Sequence, residues 1–151
     1  MNLTRRDLLK TAGAAAIAGA AGSLFTPQRS FAHSADLIDQ ELDIIMGDIF
    51  FQPVGGEKGE AIRVKAGTTV RFTFRNDGAV VHDAHFGLEP DLEKRLYAKT
   101  PFQGFDMLEL DPGSVAKLTL SVPADAAGTW EIGCFQPGHY EGGMLAPFII
   151  E

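Results

Sequence analysis

The sequence predicts an all-β fold, a small antiparallel sandwich or barrel. Several short segments alternate apolar and polar residues, and turns rich in Gly, Pro, Asn and Asp separate them. The chain has 151 residues, 45% of them hydrophobic, which is enough apolar content for one packed core. No repeat or internal linker interrupts it, so we expect one folded domain after an amino-terminal leader.

The leader is predicted to be residues 1–32. The pair Arg5-Arg6 precedes a weakly apolar run rich in Ala and Gly, and Ser30-Phe31-Ala32 has the small residues of a cleavage site. This stretch resembles a bacterial twin-arginine signal, which implies cleavage after Ala32 and export of a folded protein.

A membrane anchor is the alternative interpretation of the leader. Its apolar run, residues 11–25, is shorter than the roughly 20 residues that a spanning helix needs, and it has Ala and Gly where an anchor would have Leu and Ile. We therefore expect no stable membrane anchor and a periplasmic or otherwise exported location. The mature domain is expected to comprise residues 33–151.

The clearest strand in the first half of the domain is segment 69–75. It places Val70, Phe72 and Phe74 on one face and polar side chains on the other, which is the pattern of a half-buried strand. Asn76-Asp77-Gly78 then supplies the chemistry of a turn. Two further segments, 37–46 and 61–65, are plausible earlier strands.

The second half of the domain contains three predicted strands. Segment 116–122 alternates in the same way and lies between turn residues. In segment 128–134 the alternation places Trp130, Ile132 and Cys134 on one face. The remaining elements are an apolar terminal strand over 145–150 and one short helix over about 90–98.

The loop CFQPGHYEGGM, residues 134–144, carries the strongest chemical signal. Cys134, His139 and Met144 follow one another with four residues between each pair. The loop joins two neighbouring predicted strands, and Pro137-Gly138 and Gly142-Gly143 supply tight turns. We therefore expect the three side chains to converge at one end of the sandwich.

The donor types in this loop favour copper. Cys134 is the only cysteine, so it cannot form an internal disulfide, and its alternative role is that of a small buried hydrophobic residue. A thiolate, an imidazole and a thioether match a trigonal His₂Cys copper site with a long axial Met, whereas structural zinc needs four strong Cys or His ligands. The loop thus predicts a second histidine from elsewhere in the chain.

His82 and His85 are the candidates for that second histidine. In an extended segment, His82 would share a face with Phe86, which looks like a core residue, and His85 would lie on the opposite face. We therefore expect His82 to point towards the site. His85 is expected to be a surface histidine or to support the site indirectly, with replacement of His82 as the alternative.

Three segments together resemble the cupredoxin family: FTFRNDGAVVHDAHFG, DPGS and GTWEIGCFQPGHYEGGM. The likeness is to the small bacterial plastocyanin/azurin-like copper proteins and covers roughly residues 43–151. It implies a cupredoxin-like Greek-key β-sandwich or barrel with one type 1 (blue) copper. The ligands implied by the resemblance are His82, Cys134, His139 and Met144. Segment 89–103 looks like a family-specific insertion that could cover the site or dock a partner.

The implied function is transfer of single electrons between redox partners. Copper nitrite reductases and multicopper oxidases need further copper centres, and this chain has four histidines and one cysteine, so we do not expect an enzyme. The alternative is copper handling or copper tolerance in the periplasm with the same site. The sequence leaves these two functions open.

The net charge of the chain restricts the kinds of partner that it can bind. The formal net charge of the chain is −7, and the predicted leader has more basic than acidic residues, so the mature domain is more acidic still. Such a surface argues against binding to nucleic acid. We expect a monomer whose partners are redox proteins, such as a cytochrome or a copper enzyme, with a basic docking face.

Several other residues have simpler expected roles. Met46 and Met107 are expected to pack, because an isolated Met usually fills a gap in a core. Trp130 and Phe135 are expected to pack in the core and in the loop. For Asp83 two roles stay open: a hydrogen bond to the backbone near the copper loop, or simple solvation.

Overall fold

The computed structural model describes residues 37–96 and 99–151, all of them within one compact unit, Ser34–Glu151. The predicted export signal lies outside the described residues. The described elements are the strands β1 (Gln40–Gly47), β2 (Phe50–Pro53), β3 (Ile62–Val64), β4 (Thr69–Asn76), β5 (His82–Gly87), β6 (Met107–Leu110), β7 (Val115–Ser121), β8 (Gly128–Gly133) and β9 (Leu145–Ile150), and the helix α1 (Glu89–Glu93).

The strands form two sheets, which confirms the all-β prediction. One sheet has the order β2-β1-β4-β7 and the other has the order β3-β9-β8-β5-β6. The apolar faces of both sheets contribute to one buried cluster. The fold is therefore a β-sandwich.

The expectation of a purely antiparallel arrangement was wrong. β1 pairs with β4 in parallel, and β3 pairs with β9 in parallel. Neither pair is consecutive in the chain, so no tight hairpin forces the two strands to run in opposite directions. Apolar alternation shows which side chains face the core, but it carries no information about the direction of the neighbouring strand.

Phenylalanines from both sheets fill the centre of the sandwich. Phe72 and Phe74 of β4 are fully buried, as the alternation predicted. The Phe72 ring lies 6.5 Å from the Phe86 ring and 6.2 Å from the Phe148 ring, measured between centroids. These contacts join the two sheets through apolar burial and aromatic packing.

The helix is shorter than predicted. α1 ends at Glu93, and Arg95 has a φ of 54°, in the left-handed region that an α-helix cannot continue through. The backbone N–H of Leu96 donates to the carbonyl of Asp91 at 2.8 Å, which closes the last turn. Among the described residues, no helix is long and apolar enough to span a membrane.

Candidate metal centre

Three neighbouring strands bring the predicted site residues to one end of the sandwich. His82 begins β5, Cys134 directly follows β8, and Met144 directly precedes β9. β8 pairs antiparallel with both of the other strands. The start of β5, the end of β8 and the start of β9 therefore lie side by side.

His82, Cys134 and His139 converge on one point. The Nδ1 atoms of the two histidines are 3.2 Å apart, and the Cys134 Sγ lies 3.4 Å from Nδ1 of His139 and 3.9 Å from Nδ1 of His82. One ligand atom from each residue lies within 4.8 Å of the others, and within residues 37–96 and 99–151 this is the one such group of His, Cys, Asp or Glu. A single metal ion would contact all three.

The structure places the two upstream histidines differently. His82 is fully buried, together with Ala84 and Phe86 on the same face of β5. His85 lies on the opposite face, where its Nε2 is 3.6 Å from Asp83 Oδ1 and its ring meets the edge of Phe135. The strand parity thus brings His82, and not His85, to the cluster.

Backbone hydrogen bonds hold the loop 134–144 in a closed conformation. The N–H of Cys134 donates to the carbonyl of Met144 at 3.0 Å, and the N–H of Met144 donates to the carbonyl of His139 at 2.9 Å. Gly138 and Gly143 have φ values of 81° and 96°, which a side chain would disfavour. The Met144 side chain is completely buried.

Asp83 fixes the start of this loop, which decides between its two expected roles. Its Oδ1 accepts from the backbone N–H of Phe135 at 2.6 Å, and its Oδ2 accepts from Gln136 Nε2 at 3.1 Å. The side chain is buried. Asp83 therefore ties β5 to the residues that directly follow Cys134, in addition to the ladder between β5 and β8.

We expect Asp83→Ala to destabilise the copper-free protein by ~1–3 kcal/mol, because it leaves the half-buried N–H of Phe135 without its carboxylate acceptor. Asp83→Asn retains one acceptor oxygen and should cost less. Urea denaturation of both variants checks this, with Asp125→Ala in an exposed turn as the control. Equal stabilities of Asp83→Ala and Asp125→Ala would show that the Asp83 hydrogen bonds contribute nothing.

Asn76 holds the turn that precedes His82. The sequence predicted that Asn76 lies in a turn, but it did not indicate the hydrogen bonds of its side chain. Its amide nitrogen donates to the carbonyls of Val80 and Leu110, at 2.8 and 2.9 Å, and its oxygen accepts from the N–H of Gly78 at 2.9 Å. Every polar atom of this buried side chain is therefore paired. The turn enters β5 with His82 at a fixed position.

Burial is the main influence on the pKa values of Cys134 and His82. Burial raises the pKa of Cys134 to about 11, so at neutral pH the thiol keeps its proton until a metal displaces it. Burial, and then the proximity of His139, lowers the pKa of His82, so its imidazole is neutral. Two imidazole nitrogens that face a buried thiol fit a soft metal ion.

The segment after α1 contacts the outer side of the loop. Arg95 donates from Nη2 to Glu141 Oε1 at 2.7 Å, and its guanidinium lies 5.0 Å from the centre of the Phe135 ring. Phe135 stacks on Tyr140 at 4.8 Å, and the Tyr140 hydroxyl donates to Glu131 at 2.6 Å. Burial raises the pKa of both Glu131 and Tyr140. Sequence reasoning missed Arg95, which lies outside any recognisable motif, and the contacts of Tyr140, which lies in the loop 134–144 but whose partners its position in that loop does not indicate.

The two other methionines differ from each other. Met46 is fully buried in β1, but Met107 is 40% exposed on β6, so the expectation that Met107 packs in the core was wrong. β6 is an edge strand, and alternate side chains of an edge strand face solvent. Trp130 is half-buried against the core, and its Nε1–H donates to the carbonyl of Ala126.

Known proteins with similar sequences are copper proteins by name. The chain is 27% identical over 146 residues to the copper-resistant cuproprotein CopI of Pseudomonas aeruginosa, covering 74% of this chain and 76% of that protein. It is 32% identical over 94 residues to CopI of Rubrivivax gelatinosus, covering 59% of this chain and 56% of that protein. No protein-family model matches the chain.

Solved structures with a similar fold include auracyanins. The chain aligns with reduced auracyanin from Roseiflexus castenholzii at a TM-score of 0.56 and 23% identity, covering 74% of this chain and 96% of that one. For auracyanin A of Chloroflexus aurantiacus, a blue copper protein, the TM-score is 0.52 and the identity 23%, with 74% and 99% covered. The chain therefore has the cupredoxin β-sandwich fold.

The chain thus has the cupredoxin fold, and its three converging donors fit a single type 1 copper site. A thiol and two imidazoles meet here at the strand ends that the loop 134–144 joins. The resemblance seen in the sequence is thereby confirmed.

Proposed function

We propose that the chain is an exported electron carrier whose single copper is held by His82, Cys134, His139 and Met144. The observation that carries the proposal is the convergence of two Nδ1 atoms and one Sγ within 4.8 Å of one another. Met144 is added because its backbone bonds to both Cys134 and His139 while its side chain is buried. Bound copper supplies a one-electron couple between its cuprous and cupric states.

The surrounding residues support rapid electron exchange by keeping the donors in place. Asp83 and Asn76 anchor the two chain segments that carry Cys134 and His82. Hydrogen bonds within the loop fix His139 relative to Met144. Donors that do not move between oxidation states keep the reorganisation energy small, which favours transfer without any chemical step on a substrate. We therefore assign no catalytic residue.

His139 is the proposed point of electron exchange. It is half-buried, whereas His82 and Cys134 are fully buried, so its ring is the part of the donor set nearest to solvent. Exposed apolar side chains of Ile49 and Val80 also occur in the turns that precede β2 and β5. The net negative charge favours a redox partner with a basic face, such as a cytochrome or a copper enzyme.

Copper loading and electron-exchange kinetics test this function. The purified domain should bind one copper per chain, show an intense thiolate-to-copper visible band, and exchange electrons with a basic cytochrome at a rate that falls with added salt. Copper bound without that band would contradict the type 1 assignment. A normal visible band without electron exchange with any redox protein would contradict the electron-transfer function but not the type 1 copper assignment.

Copper tolerance is the second candidate function, and the names of the two relatives favour it. Both are called copper-resistant cuproproteins. A strain without the gene should then become sensitive to copper, and the Cys134→Ser protein should fail to restore its growth. Normal growth of the deletion strain in copper would contradict this function and leave the spectral prediction intact.

We expect Met144→Leu to retain copper and to raise the reduction potential, because loss of a weak axial donor favours the cuprous state. Met144→Gln should lower the potential by offering the cupric ion a harder oxygen. Each shift is expected to be on the order of 60 mV, a tenfold change for a one-electron couple. Voltammetry measures both, and Met46→Leu in the core and Met107→Leu at the surface serve as controls. Unchanged potentials in both Met144 variants would remove Met144 from the ligand set.

A further inference from the structure

The second ring nitrogen of His82, Nε2, needs a hydrogen-bond partner. His82 Nε2 is buried, and within residues 37–96 and 99–151 it is the one buried side-chain nitrogen or oxygen that lacks a hydrogen-bond partner. Nδ1 of the same ring faces Cys134 and His139. If Nδ1 binds the metal, the neutral ring must carry its proton on Nε2, and that buried N–H needs an acceptor.

The acceptor beside this nitrogen is a carboxylate from another part of the chain. Asp48 Oδ1 lies 3.4 Å from His82 Nε2, near the upper limit of hydrogen-bond distance. The same oxygen accepts from the backbone N–H of Ala79 at 2.9 Å, so its position is fixed. Asp48 thus belongs to the turn between β1 and β2, yet it is bonded to the turn that enters β5.

Gly78 leaves the space that this approach requires. A methyl group on Gly78 would overlap His82 Nε2 and would come within 2.6 Å of Asp48 Oδ1. Any larger residue would therefore separate the imidazole from the carboxylate, or force both to move. Gly78 is placed by its own hydrogen bond to Asn76.

The turn that carries Asp48 has a strained backbone. Ile49 has a φ of 65°, a conformation that a β-branched residue rarely adopts. Its Cγ2 atom lies 3.3 Å from the position of a Cβ at Gly142, so the turn packs against the loop that carries His139. A strained backbone conformation persists only where the surrounding structure holds it in place, and such positions cluster at functional sites.

We propose that Asp48 is a positioning residue for the copper site: its carboxylate accepts a hydrogen bond from the Nε2–H of His82, and its negative charge lowers the reduction potential. This inference rests on the proposed copper ligands. A carboxylate on the outer nitrogen of a ligating histidine fixes the ring and its tautomer and makes the ligand more basic. Its charge also favours the cupric over the cuprous state.

Two Asp48 variants separate the hydrogen bond from the charge. Asp48→Asn keeps an acceptor oxygen without the charge, and Asp48→Ala removes both. Both should bind copper with a higher reduction potential than the native protein, and the rise should be larger for Asp48→Ala. The rise in Asp48→Asn should shrink with added salt, because the Asp48 side chain is 60% exposed and its charge is screened.

Hydrogen exchange supplies a readout that a change of charge alone would not move. In the cuprous protein, which is diamagnetic, NMR should show a protected His82 Nε2 proton. We expect it to exchange about tenfold faster in Asp48→Ala, as the loss of a charged hydrogen bond predicts, and to stay protected in Asp48→Asn. Equal exchange in all three proteins would overturn the hydrogen bond.

Asp77→Asn is the matched control. Asp77 directly precedes Gly78, carries the same charge and is exposed, but it pairs with Arg75 at 2.7 Å and not with His82. Its loss should leave the potential nearly unchanged. If Asp48→Asn shifts the potential no more than Asp77→Asn does, the role of the Asp48 charge is overturned. A native protein that binds copper without a thiolate band would instead overturn the proposed function, and this inference with it.

Discussion

Cys134→Ser is expected to abolish the intense visible band of the copper-loaded protein. The band arises from charge transfer between a thiolate and cupric copper, and Cys134 is the only cysteine in the chain. Its Sγ forms a triangle with the two histidine Nδ1 atoms, at 3.9 and 3.4 Å, so it is placed to bind the same metal ion as both imidazoles. A serine hydroxyl in this buried position is a harder and far less easily ionised donor.

Visible and EPR spectra at matched copper content measure this effect. We expect the band to be lost completely, because the variant contains no cysteine to supply a thiolate. Met107→Leu removes an exposed sulfur outside the cluster and should leave the spectrum unchanged. A band that survives in Cys134→Ser would mean that the colour has another origin and that the copper site is elsewhere.

His82→Gly is expected to disrupt the copper site, and added imidazole should restore part of its colour. Removal of the buried ring deletes one of three converging donors and opens a cavity of imidazole shape beside Cys134 and His139. A copper titration followed by the visible band measures the loss of copper affinity. We expect a loss of at least about 100-fold, because mutation of a residue that only supports a metal ligand already costs up to about 100-fold.

His85→Gly is the matched control, since it removes the same ring from the same strand. His85 lies on the opposite face of β5, against Asp83 and Phe135, so coordination should be largely intact. A small loss of stability is compatible with this expectation, because the ring is mostly buried. If His85→Gly lost the copper and His82→Gly kept it, the ligand assignment would be reversed.

The sequence predicted much of the fold from local patterns alone. The alternation in segment 69–75 located β4 and its buried face, and the same argument located β7 and β8. Such predictions succeed because successive side chains of a strand point to opposite faces, whatever the neighbouring strand does. β2 and β6, four residues each, are too short for alternation to distinguish them from loops.

The candidate metal-binding loop could also be located from the sequence, because its possible donors lie close together in the chain. Cys134, His139 and Met144 fall within eleven consecutive residues, and their spacing and chemical types limit the metal that they suit. The upstream histidine required one further step, the parity of β5. That step depended only on recognising Phe86 as a core residue, and Phe86 is indeed buried.

Only the tertiary structure decided which residues support the donors from a distance. Asp48 comes from the turn after β1, and it reaches His82 because two turns from different strands meet at one end of the sandwich. Arg95 likewise reaches the loop from the segment after α1. Nothing in the local sequence of Asp48 or Arg95 indicates its partner. Each partner is distant along the chain, and the pairing of strands in the sheets brings the two residues together. The strand pairing, including its two parallel pairs, is set by the packing of the whole core. Burial of apolar surface drives that packing, and the buried surface comes from many segments at once, so no single segment determines the pairing.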